Sequence, residues 1–262
     1  MYFEEVCPMK SWKLKNLCAI FVGTLLVFSA LNQTAEAGWG IGKDKKSPRV
    51  IVVLVDMSGS TNVDRRTVYR KAFGKIFEKL QGGDRIVIGT ITGRSFIDFK
   101  PVVDAEIPKA SIWLNRISYE QNLTQTKSNI KKQAERLVSH KKGTRHTEIL
   151  SSLNIADTIF HKEKRDKLLV VLSDMIHDSR EYNFDRAKVT NRYTSRLIKY
   201  RKKHNLIPNL RGVKVYVAGA SADGAKKYRS IEKFWGRYFK VAGADYSTHR
   251  YGHSLLEFES EV

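Results

Sequence analysis

Residues 50–55 are apolar at every position, and so are residues 168–172 inside the segment KLLVVLSD, 167–174. Uninterrupted apolar runs of this length predict strands covered on both faces, as in a parallel sheet, rather than half-exposed hairpins. Between them the period changes. Tyr69, Phe73, Ile76, Phe77 and Leu80 recur at helical spacing and predict a helix over 62–80, stopped by Gly82 and Gly83. DRIVIGTI, 84–91, predicts the next strand. The alternation of RSFIDFKPVV, 94–103, predicts a short antiparallel edge strand joined by a hairpin turn, a position that Pro101 suits.

Further on, Ile130, Ala134, Leu137 and Val138 share one face of a mostly helical segment over 111–140, which gives way to the loop KKGTRHT. A helix carrying Ile149, Leu153, Ala156 and Phe160 follows. A basic helix is predicted over 185–204, a strand over 213–220, a helix over 230–243 and a last strand over 254–258. Strands alternating with helices predict an α/β fold: a doubly wound, mostly parallel sheet with helices on both faces and one antiparallel edge strand.

Composition changes this picture mainly at the N-terminus. Lys10, Lys13 and Lys15 precede a long apolar run, 17–31, and the small-residue pattern AEA then ends at Ala37. That order predicts a signal peptide over 1–37 and a periplasmic or secreted protein, with no membrane span after cleavage. Retention of the run as an anchor, and translation from Met9 instead of Met1, are the alternatives. Both cysteines, Cys7 and Cys18, fall in this leader, so the mature chain is expected to carry no thiol. A Gly- and Lys-rich linker over 38–49 leads to one domain over 50–262. The formal charge is +20, and the leader's lysines and glutamates cancel, so the basicity belongs to the domain. Such a charge draws polyanions, which makes anionic surfaces possible partners.

In open α/β sheets the binding crevice lies beyond the C-terminal ends of the strands, and Asp56 and Asp174 each end an apolar run. Two carboxylates facing one crevice repel unless a cation or a proton intervenes, and a hard divalent ion answers that need. Ser58 and Ser60 add neutral oxygens in the turn leaving the first strand. An all-oxygen donor set favours Mg²⁺, Mn²⁺ or Ca²⁺ over zinc or copper. The same Asp-x-Ser-x-Ser is also a good helix cap, the plainer reading.

At these residues the sequence resembles the von Willebrand factor type A domain, whose metal-ion-dependent adhesion site uses D-x-S-x-S after the first strand, a threonine from a second loop and an aspartate after a later strand. Asp56, Ser58 and Ser60 match the first element, and Asp174 in VLSDMIHDS matches the last. GDRIVIGTI is similar to the family's second strand. TEILSSL favours Thr147 as the threonine, with Thr144 as the alternative. The resemblance covers residues 49–220. It implies that the hydroxyls contact the ion directly, that the aspartates act through water, and that the ion's open position takes a carboxylate from a partner protein.

The expectation is therefore an exported, divalent-metal-dependent adhesion or scaffolding module, not an enzyme. A Mg²⁺-dependent phosphohydrolase with Asp56 as nucleophile is the rival, although such enzymes usually carry a second acid where this chain has Ser58. A basic nucleic-acid-binding protein is the third reading. FWGRYF, 234–239, interleaves aromatic and basic residues as some nucleic-acid platforms do, but its helical spacing favours core packing. His146 and His177 are expected in exposed loops near the site. The runs KYRKKH and KEKRDK are expected as solvated helix ends or loops.

Overall fold

The computed structural model describes residues 47–58, 63–110, 115–139, 145–256 and 258–259. The leader, the linker up to residue 46, Ser60 and Thr144 lie outside them. Among the described residues, β1 (Arg49–Asp56), β2 (Arg85–Ile91), β3 (Val103–Glu106), β4 (Asp166–Leu172), β5 (Val213–Ala218) and β6 (Asp245–Gly252) form one sheet in the order β3-β2-β1-β4-β5-β6. Every pairing is parallel except β2 with β3. The helices are α1 (Val63–Lys79), α2 (Ser95–Asp98), α3 (Arg116–Ser139), α4 (Ile149–His161), α5 (Asn191–Lys203) and α6 (Ala225–Ala242). This is the mostly parallel α/β sheet with one antiparallel edge strand that the sequence predicts, with helices packed on both faces. No described helix is long and apolar enough to cross a membrane.

The unbroken apolar character of β1 has a direct cause. Val50, Val52 and Leu54 point into a core shared with α4, α5 and α6, while Ile51, Val53 and Val55 point into a second core shared with α1 and α3. Alternate side chains thus fill opposite layers, and neither layer tolerates a polar residue. The FWGRYF run packs as expected: Phe234, Trp235, Tyr238 and Phe239 are all fully buried.

Several elements depart from the sequence reading. The segment 94–103 is not the edge strand. The Ser95 hydroxyl accepts from the Thr92 N–H (2.9 Å) and donates to the Thr92 carbonyl (2.9 Å), which turns the chain into α2. Phe99 then covers the bare backbone of Gly89, and pairing with β2 begins only at Val103. The basic helix starts at Asn191, not 185, because the Thr190 hydroxyl caps it by accepting from the Tyr193 N–H, and Phe184 is already committed to the core. The last strand is β6, DYSTHRYG, whose polar character reflects an edge position. Leu255 and Phe258, expected in a strand, instead pack into the core beneath α1 and α3.

Arg49, assigned to the linker from the sequence, opens β1 and is buried. Its Nη2 meets Asp84 Oδ2 at 2.6 Å and its backbone N–H meets Oδ1 at 2.9 Å, so the start of β1 is locked to the turn before β2. Removing one partner of a buried pair strands the other's charge. Asp84→Ala is therefore expected to cost about 3–5 kcal/mol, read as a lowered midpoint of urea unfolding.

Candidate metal centre

Parallel pairing of β1 with β4 runs to Val55 opposite Leu172, which brings Asp56 alongside Ser173 at the C-terminal edge of the sheet. Asp56 is fully buried. Its Oδ1 accepts the Ser58 N–H (2.9 Å) and its Oδ2 accepts the Ser173 hydroxyl (2.8 Å), which in turn accepts the Met175 N–H (3.0 Å). Asp174, 6% exposed, takes the Ile176 N–H on Oδ1 (2.8 Å) and the Arg65 guanidinium on Oδ2 (2.9 Å). Arg65 reaches this carboxylate from the first turn of α1 and also approaches the Ser221 hydroxyl at 3.4 Å. The turn leaving β1, the helix that follows it and the loop leaving β4 therefore converge on one crevice.

Thr147 enters from the loop before α4. Its backbone pairs reciprocally with Asp178 (2.9 and 3.0 Å), which fastens its loop to the one carrying Asp174. His146 reinforces the junction through Asp178 Oδ2 at 2.9 Å, and Asn183 donates to Oδ1 of the same carboxylate at 2.8 Å. The Thr147 side chain is nearly buried, yet its hydroxyl has no hydrogen-bond partner among the described residues.

Two backbone features shape the crevice. Met175 adopts φ 67, a left-handed conformation that is uncommon outside glycine and asparagine, and its carbonyl accepts the Trp235 indole N–H at 2.9 Å. Gly219, just beyond β5, has φ +93; a Cβ there would lie 2.9 Å from the Tyr69 ring and 3.1 Å from the Ser173 carbonyl. The absent side chain lets Tyr69 reach the crevice. Its hydroxyl is buried and has no hydrogen-bond partner among the described residues. Burial first, then the charge of Asp56, push that hydroxyl well above its ordinary range; Arg65 pulls the other way and Asp174 adds to the rise.

The electrostatics follow from crowding. Burial, then the negative charge of Asp56, push the Asp174 carboxyl up to about 6, against the opposing pull of Arg65. One guanidinium thus offsets two carboxylates only in part. The carboxylate oxygens and the Ser173 hydroxyl are already engaged, whereas the Thr147 and Tyr69 hydroxyls have no hydrogen-bond partner among the described residues. Such a donor set suits a hard cation. Among the described residues, no three His, Cys, Asp or Glu side chains gather into a group that could hold a metal ion, so an ion here would rest on two carboxylates and on hydroxyls.

Of the expected site residues, the structure brings Asp56, Ser58 and Asp174 to one edge and ties Thr147 to the same loop system. His177 departs from expectation. It is buried, accepts the Leu150 N–H at Nδ1 (3.5 Å), lies 3.2 Å from the Ser179 hydroxyl, and is pushed down to about 3 by burial and then by Arg201. It is a neutral packing residue. Ser173, Arg65 and Tyr69 are the contributors that the sequence reading misses. Ser173 is signalled only by its place before Asp174, and Arg65 and Tyr69 only by lying on the inward face of the helix after the motif.

No protein-family model matches the sequence, and no curated protein matches it. Solved structures do. A von Willebrand factor type A protein from Catenulispora acidiphila is 17% identical over 75% of this chain and 42% of its own, with a TM-score of 0.41. The pilus adhesin SpaC from Lactobacillus rhamnosus GG, in an open conformation, is 12% identical over 76% of this chain and 30% of its own, with a TM-score of 0.40. Three N-terminal domains of the type V pili tip protein Mfa5 from Porphyromonas gingivalis are 14% identical over 69% of this chain and 30% of theirs, with a TM-score of 0.34. In each case this chain spans less than half of the matched chain. The crevice is accordingly read from its own side chains.

Two outcomes are expected. Gly219→Ala drives a methyl group against both Tyr69 and the Ser173 carbonyl and is expected to destabilise the domain by roughly 1–3 kcal/mol, measured by urea unfolding. The second concerns pH. The folded Asp174 carboxyl titrates near 6 and the unfolded one near 3.8, so the stability tied to its proton is complete below the lower value and lost as pH rises through the higher. In EDTA, the stability of the wild type relative to Asp174→Asn is expected to fall between about pH 4 and pH 6 and to level off above. A flat difference across that window would contradict the crowding.

Proposed function

We propose that the crevice holds one divalent cation, Mg²⁺, Mn²⁺ or Ca²⁺, and that the protein is an exported adhesion or scaffolding module that binds a partner protein through it. The observation that carries this reading is the pairing of two buried carboxylates, which Arg65 offsets only in part, with the Thr147 and Tyr69 hydroxyls, which have no hydrogen-bond partner among the described residues. Ser58, Ser60 and Thr147 would supply direct oxygen ligands, and Asp56 and Asp174 would orient coordinated water. The ion would supply an electrophilic site for a carboxylate of the partner. This chain's own part is to hold the hydroxyls in place and to keep the charge on the carboxylates inside a buried setting.

Asp56 is a poor candidate for a phosphoryl-accepting nucleophile. It is fully buried, and each of its oxygens accepts a hydrogen bond from a neighbour on a rigid turn. The hydrolase reading therefore loses the residue it depends on. Export rests on the order of charge, apolar run and small residues in the leader.

Arg65 makes the reading quantitative, because a guanidinium on Asp174 competes with an added cation for the same negative charge. Mn²⁺ titration followed by electron paramagnetic resonance is expected to show a single site. Asp56→Ala is expected to weaken it by about 10–100-fold, the range typical of lost orienting groups, while Arg65→Gln tightens it. Envelope proteins held by the immobilised wild type in Mg²⁺ are expected to be released by EDTA and not to be held by Asp56→Ala. Retention indifferent to both changes would leave the reading without support.

A further inference from the structure

The helices α5 and α6 cover one face of the sheet, and their surface is basic almost without relief. In α5, NRYTSRLIKYRKK, six residues are basic and none is acidic; in α6, AKKYRSIEKFWGRYFKVA, six are basic against the single Glu232. Arg201 is buried, and Lys227 pairs with Asp185. Most of the others are exposed. Among the described residues, Lys199, Lys202, Arg237 and Lys240 have no carboxylate partner, and Arg237 donates only to the Ser195 hydroxyl at 3.1 Å.

Cations in the last turn of a helix complement its dipole, and that accounts for Lys202, Lys203 and Lys240. It does not account for Arg192 and Lys226 in the first turns, where the dipole opposes a cation, or for Arg196, Arg229 and Lys233 between the ends. Like charges crowded on one face repel and cost stability, so their accumulation points to a polyanionic partner.

The groove between the helices narrows the choice. It has a volume of about 320 Å³, an apolar floor that includes Ile198 and Val241, and a rim formed by Lys199, Lys202, Arg237 and Lys240. Single-stranded nucleic acid needs a row of exposed rings for stacking, but the aromatic residues of FWGRYF all face the core and Tyr200 is the one aromatic of the two helices that is largely exposed. A duplex offers phosphates and nothing for an apolar floor. A phospholipid offers both.

We infer that this face is a docking surface for anionic phospholipid, with phosphate headgroups on the basic rim and the glycerol region over Ile198 and Val241. The placement is consistent with the topology. Each helix runs back from the C-terminal edge of the sheet, so the rim residues, in the last two turns of α5 and α6, stand at the edge opposite Asp56 and Asp174. The protein seated on a bilayer by this groove turns its crevice away from the lipid.

The test is co-sedimentation of the full chain, in EDTA, with vesicles rich in phosphatidylglycerol and with vesicles of phosphatidylcholine alone. The leader contributes equally to every variant. Preference for the anionic vesicles is expected, falling with salt. The combined change of Lys199, Lys202, Arg237 and Lys240 to glutamate is expected to reduce anionic-vesicle partitioning by on the order of a thousand-fold or more. The same number of reversals at Lys71, Lys131, Lys132 and Arg136, on the α1 and α3 face, is expected to leave most of it intact. Should the first set fail to fold by circular dichroism, Lys199→Gln with Lys202→Gln, both exposed, carries the comparison with a smaller expected loss. Equal losses from the two faces would overturn the inference in favour of diffuse charge. Duplex DNA that strips the protein from anionic vesicles, and itself depends on the same four residues, would overturn it in favour of nucleic acid.

Discussion

The repulsion between Asp56 and Asp174 is the constraint around which this end of the molecule is built. Each is nearly or fully buried, and an uncompensated buried charge costs several kcal/mol. Compensation is assembled from different parts of the chain: backbone N–H groups at Ser58 and Ile176, the Ser173 hydroxyl, and the Arg65 guanidinium. Hydrogen bonds to a charged group contribute about 1.5–3 kcal/mol each, enough to hold the carboxylates in place but not to remove their mutual field. The raised Asp174 carboxyl records what is left over. Gly219, the turned Met175 backbone and the inward Tyr69 follow as the space and geometry that this arrangement demands.

Charge is divided between the buried crevice and the exposed helix surface. The crevice at the C-terminal edge gathers buried carboxylates and hydroxyls, while lysine and arginine run along the whole exposed length of α5 and α6. A chain of net +20 thus keeps a locally acidic crevice, because the acidic groups are buried and the basic ones are spread over the α5 and α6 surface. Nothing in the overall charge discloses that separation, which depends on which side chains the fold buries.

Much of the fold is legible from residue order, and the reason lies in where each element sits. β1, β2 and β4 are covered on both faces, so their apolar runs are unambiguous. β6 pairs along one edge only; Asp245 to Gly252 therefore reads as a loop, and the apolar Leu255 and Phe258 draw attention to a segment that packs without forming a strand. The alternation of 94–103 misleads because the Ser95 side chain closes a local turn that competes with extension. At the site, Asp56, Ser58 and Asp174 are visible as a motif and a strand end. Ser173 is not, since its role depends on a register between positions 117 residues apart. Arg65 and Tyr69 are hidden for a similar reason: only the docking of α1 against the sheet decides which of its side chains meet the carboxylates.

The bond from the Trp235 indole to the Met175 carbonyl has a bearing on timing. A left-handed backbone at a non-glycine residue costs on the order of 1–2 kcal/mol, and the partner that offsets it arrives sixty residues later, in the last helix of the fold. A chain emerging N-terminus first presents Asp56 and Asp174 well before Trp235. Until α6 docks, the turn that aims Asp174 is held only by nearer partners, among them the Ser173 hydroxyl, the Ile176 N–H and the Thr147–Asp178 pairing, and lacks the bond that fixes its carbonyl in the complete domain. Partly folded chains carry the acidic residues without that last bond, and the C-terminal helix acts as the clasp that finishes the site.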